Sequence, residues 1–115
     1  MKPEPWHGPF VQSLEEAADL DRQRAGWADR TDANFPMPTE LISQVFDDSG
    51  IDDLLGTGEV VFSESTDAAL RTLSAAVAEI DLDQHPEQLW ASETWRGFVN
   101  EAARVLSLVR SDLAQ

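Results

Sequence analysis

Apolar side chains recur at three- and four-residue spacing over most of this chain, a pattern that predicts amphipathic helices. Ser13 and Glu16 have the S-x-x-E spacing of a reciprocal helix-start box, so the first helix is expected to begin there. Leu14, Ala17, Ala18, Leu20 and Ala25 continue it as an apolar stripe that fades near Gly26 and Trp27. Residues 29–38 read as a connection, because Asn34, Pro36 and Pro38 oppose helix, with Phe35 as one buried contact. Thr39 is placed to cap a second helix bearing Leu41, Ile42, Val45 and Phe46, and one further turn is expected over 51–55 between Gly50 and Gly56.

Residues 59–63, with Val60, Val61 and Phe62, favour extended backbone, although no second alternating segment offers a clear strand partner. A third helix capped by Ser65 or Thr66 follows, with Leu70, Leu73, Val77 and Ile80 as its seam and an end around 81–84. Pro86 suits the first turn of a short helix carrying Leu89 and Trp90. Ser92 can cap the last long helix, whose buried stripe is Trp95, Phe98, Val99, Ala102, Val105, Leu106 and Val109. Pro3, Pro5, Gly8 and Pro9 argue against regular structure at the start. The expectation is therefore an extended N-terminal arm over 1–12 and a single helical domain over 13–115. Its fold class is mainly α, a bundle of about four helices with one extended segment near 59–63. The alternative is an α+β fold in which 41–46 and 59–63 pair as a hairpin.

Charge changes the picture more than any motif. The 115 residues carry 22 Asp and Glu against 8 Lys and Arg, a formal net charge of -14. Such a field attracts cationic partners and disfavours nucleic acid and anionic membrane surfaces. Four Trp, five Phe and 42 % hydrophobic residues supply the apolar content that disordered acidic tails lack. No cysteine is present, which removes disulfides, a thiol nucleophile and a cysteine zinc site. The first ten residues lack a signal-peptide core and no run reaches a membrane span, so a soluble cytoplasmic protein is expected.

The sequence assigns no catalytic residue, metal ligand or cofactor. His7 and His85 lie apart among loop-like neighbours, and the zinc-protease, phosphate-loop and nucleophile-elbow motifs are missing. Ser49-Gly50 reads as a turn. The densest carboxylate cluster is D-D-S-G-I-D-D, which contributes Asp47, Asp48, Asp52 and Asp53. It matches a calcium loop poorly, since the oxygen-donor alternation would start at Val45 and the final glutamate is missing. The cluster is a candidate partner contact instead, which Glu15, Glu16, Asp19, Glu59, Glu64, Asp81 and Asp83 would extend if the fold brought them together. Trp27, Trp90 and Trp95 follow the apolar periodicity and belong to the core or its edge, whereas Trp6 is the candidate exposed anchor.

The series Trp27, Phe46-Asp47-Asp48-Ser49, Gly58-x-Val60-Val61-Phe62 and Trp95-x-x-Phe98-Val99-x-x-Ala102-Ala103 resembles small acidic, largely uncharacterised actinobacterial proteins, some of them similar to immunity proteins of bacterial toxin systems. The resemblance spans most of 13–109 and departs at Pro36-x-Pro38 and the proline-rich start. It implies a binding role and no enzymatic one. The expected function is a non-catalytic acidic protein that binds a basic protein partner, such as a toxin domain, through Asp47, Asp48, Asp52, Asp53 and Trp6. The alternatives are an adaptor or regulatory protein, or a DNA mimic occupying a basic partner; homodimerisation is open to the same apolar surfaces.

Overall fold

A computed structural model describes all residues from Met1 to Gln115. Its organising element is the last helix, which we label α7. In chain order the helices are α1 (His7–Ala17), α2 (Leu20–Trp27), α3 (Pro38–Ser43), α4 (Ile51–Gly56), α5 (Glu64–Ala76), α6 (Pro86–Ala91) and α7 (Glu93–Leu113). A π-helical turn, Gln44–Asp48, continues α3, and a 3₁₀ turn, Val77–Glu79, ends α5. The fold is all helical, as the periodicity predicts.

The Ser92 hydroxyl accepts the Trp95 N–H at 3.1 Å and starts α7 at the predicted position. Trp95, Phe98, Val99, Ala102, Val105, Leu106 and Val109 are all buried. Each large member of that stripe contributes on the order of 1.5–3 kcal/mol by leaving water. α1 and α5 pack along α7, while α6 folds back beside its start and meets α2. α3 and the π turn pack against α1.

The N-terminal arm is shorter than expected. Only residues 1–6 precede helix, and residues 7–12, predicted as extended, form the first half of α1. Pro9 is tolerated because it stands among the first helical residues, whose N–H groups have no intrahelical acceptor to lose. Tertiary burial supplies the rest: Phe10 is fully buried, and its ring stacks 5.9 Å from Phe62 while Trp6 packs 5.6 Å from both. Ser13 therefore lies inside a helix instead of starting one, and its hydroxyl donates to the Pro9 carbonyl at 3.0 Å.

The predicted single helix from Ser13 to Trp27 is also divided. Asp19 accepts the Arg22 N–H at 3.1 Å and caps a separate α2. Gln23 secures the break. It is fully buried, donates to the carbonyls of Glu16 and Ala17 at 3.0 and 3.1 Å, and accepts the Trp95 indole N–H at 2.7 Å. Gly26 lets the following connection cross α2 closely, since a Cβ there would lie 2.7 Å from Phe35 Cβ.

No hairpin forms: 41–46 is helical, and the 59–63 segment pairs with no strand. The segment bends at Glu59, Val61 and Phe62 instead of running extended, and two of its amides bond to a side chain. The buried Asp67 carboxylate accepts the N–H of Val61 at 2.7 Å and of Phe62 at 3.0 Å. Ser63, not Ser65 or Thr66, caps α5, and the hydroxyls of Ser63 and Thr66 both reach Asp112 near the end of α7. α5 gives way to the 3₁₀ turn after Ala76, earlier than predicted. Thr39 likewise does not cap α3, which begins at Pro38 with Met37 before it. No helix is long and apolar enough to cross a membrane.

Candidate functional site

The D-D-S-G-I-D-D run is split by the way its backbone turns. Asp47 and Asp48 belong to the π turn and are exposed, while Val45 and Phe46 of the same turn are buried. Gly50 then adopts φ 76°, left-handed backbone that suits glycine, and α4 starts afresh. The Ser49 hydroxyl stabilises this turn, donating to the Val45 carbonyl at 2.6 Å and accepting the Ile51 N–H at 3.1 Å.

As a result, the four predicted aspartates do not share one contact. Asp47 accepts from Ser43 at 3.5 Å, one helical turn back. Asp52 accepts from Ser74 on α5 at 3.0 Å, on the side where Arg71 lies. Asp52 and Asp53 occupy the first turn of α4, where carboxylates offset the positive end of a helix. Asp48 faces another way, into a groove of about 540 Å³ between α1, α3 with its π turn, and the 34–36 connection.

That groove gathers residues from well-separated parts of the chain. Glu16 comes from α1, Glu40 from the first turn of α3 and Asp48 from the π turn. Asn34 and Gln44 add side-chain amides, and Trp6 lines one end. Trp6 is half-buried, not the free platform expected: its indole N–H donates to Glu4 at 2.7 Å, and its ring meets His7, Phe10 and Phe62. Nevertheless it borders the groove, so two predicted contact residues, Trp6 and Asp48, share one site.

Glu16 is the residue whose role the linear pattern misses. It is 8 % exposed, and its Oε2 is the single buried side-chain polar atom without a hydrogen-bond partner. An unsatisfied buried carboxylate oxygen is costly, and native proteins contain few such atoms. The available signal was its place beside the Phe10–Leu14–Ala17 stripe, masked by the helix-start spacing to Ser13.

The protein's own cations lie elsewhere. Lys2 and the arginines at 22, 24, 30, 71, 96, 104 and 110 are all outside the groove lining. The ion pairs join Arg24 to Asp29, Arg104 to Glu101 and Arg110 to Glu15, and none engages Glu16, Glu40 or Asp48. The wider acidic patch does not assemble either. Glu15 is engaged by Arg110 at 2.7 Å, Asp19 caps α2, and Asp81 accepts the Asp83 N–H at 3.0 Å. No three His, Asp or Glu side chains are arranged to hold a metal ion. The site is thus an uncompensated acidic groove with amide and indole walls, suited to a cation broader than a metal ion. Comparison of the chain with protein-family models, curated proteins and solved structures returns no match.

Proposed function

We propose that this protein is a non-catalytic binding module that captures a basic protein partner, with the groove of Glu16, Glu40 and Asp48 as the centre of contact. The observation that carries this reading is the convergence of those three carboxylates in one groove without a lysine or arginine of the chain's own. The net charge of -14 extends the attraction beyond the groove and speeds encounter with a positively charged surface. Asp47 and Asp53, exposed on either side of the Gly50 turn, add rim charge that steers more than it binds. An immunity protein that covers the basic cleft of a toxin is the form of this function that the sequence resemblance favours.

Co-expression with the protein encoded by the adjacent gene tests the reading. The expected outcome is a basic product that forms a stoichiometric complex at low salt, dissociates at high salt and is lost when Glu40→Gln and Asp48→Asn are combined. A complex indifferent to salt and to that double substitution would remove the groove from the interface.

A further inference from the structure

We infer that the groove is a receptor for a single arginine side chain of the partner, with Glu16 as the carboxylate that receives its guanidinium. The inference rests on the basic-partner reading for the source of the arginine, but the site is argued from its own chemistry. Glu16 is more than nine-tenths buried, lines the groove and has an Oε2 atom that no donor of the protein reaches. A ligand that supplies a donor there removes the cost of an unpaired buried oxygen, so binding gains what folding left unsatisfied. Oε2 is closed off from solvent, so the Glu16 carboxylate has to turn toward the groove for a guanidinium fork to meet both of its oxygens.

The remaining walls select among cations. Glu40 and Asp48 approach from different elements, and no acidic triad is drawn tightly enough for a metal ion. Spread acceptors suit a planar cation with five N–H donors better than a compact ammonium. Asn34 and Gln44 add carbonyl oxygens for donors that the carboxylates leave free. Trp6, tethered through its indole N–H to Glu4, offers an aromatic wall of the kind on which guanidinium groups stack. The chain's own arginines show the same preference: Arg24 and Arg96 lie over the Trp90 ring at 5.2 and 4.9 Å.

The test is an amide-resolved NMR titration with Nα-acetyl-arginine N-methylamide, run beside the matching lysine and citrulline compounds. The arginine compound is expected to shift the Trp6 indole N–H and the Asn34 and Gln44 side-chain amides. The lysine compound should bind more weakly, and neutral citrulline should leave those signals in place. Glu16→Gln is expected to weaken binding about tenfold or more, as loss of a charge-assisted pair does. Exposed Asp48→Asn carries little folding risk and should weaken binding severalfold, while Asp52→Asn, outside the groove, should have no effect.

Equal affinity for the arginine and lysine compounds, shifts spread evenly over the acidic surface, or unchanged binding in both Glu16→Gln and Asp48→Asn would overturn the inference. Arginine binding in the groove together with a partner complex that survives Glu40→Gln and Asp48→Asn would instead overturn the partner reading and leave the receptor site standing. A groove-dependent partner complex without arginine binding has the opposite meaning.

Discussion

Gln23 ties the end of α1 to Trp95 of α7, and Gln23→Leu tests that role. The substitution nearly conserves volume but removes the acceptor of the Trp95 indole N–H and the donor to the Glu16 and Ala17 carbonyls. Trp95 is 0 % exposed, so its N–H has no water to turn to and should cost about 1–3 kcal/mol when stranded. Loss of the two donated bonds adds about 0.5–1.5 kcal/mol each, and the leucine recovers roughly 1 kcal/mol by burying apolar surface. The net loss is expected near 3 kcal/mol, a large share of the about 5–15 kcal/mol that holds a typical domain together. Urea unfolding followed by tryptophan fluorescence should show a lower midpoint with an unchanged slope, and Tm should fall by about 12 °C. A loss below about 0.5 kcal/mol would refute the claim that this buried amide holds the end of α1 against α7.

Two further substitutions probe the connections. Asp67→Asn retains one acceptor oxygen but places an N–H₂ group beside one of the Val61 and Phe62 amides, so it should cost about 1–3 kcal/mol; hydrogen exchange should quicken first at those two amides. Gly26→Ala should destabilise by about 1–3 kcal/mol, because its Cβ would press on Phe35, whose backbone-attached Cβ cannot swing away. Thermal melting checks it, and an unchanged or raised Tm would contradict the close packing.

The C-terminal half was legible because its signals are local and agree with one another. Ser92 precedes a long unbroken stripe, and Pro86 opens a short helix at the position where a missing N–H does no harm. The N-terminal half sets local signals against tertiary ones. Pro9 and Gly8 weaken helix, yet burial of Phe10 against Phe62 carries α1 back to His7. The Ser13–Glu16 spacing mimics a helix start, while the actual break at Asp19 depends on Gln23 reaching Trp95, 72 residues away. Val60, Val61 and Phe62 favour extended backbone, but the Phe62 amide bonds to a carboxylate on the next helix, which side-chain preference cannot reveal.

The candidate site was legible in part for the same reason. Charge density pointed to the Asp47–Asp53 region, and Asp48 and Trp6 do border the groove. The split at Gly50 turns Asp52 toward Ser74. Glu16 and Glu40 join the site through packing of α1 against α3 and its π turn, and no linear spacing between them encodes that. A cluster in sequence thus became one contributor to a cluster in space.

The most direct measurement is the set of intermolecular NOEs between the protein and bound Nα-acetyl-arginine N-methylamide, with its δ-methylene and guanidinium protons as reporters. The account predicts contacts from those protons to the Trp6 ring, the Gln44 side-chain amide and the γ-methylene of Glu16. Contacts confined to the Asp52–Asp53 side of α4, with none to Glu16 or Trp6, would contradict it.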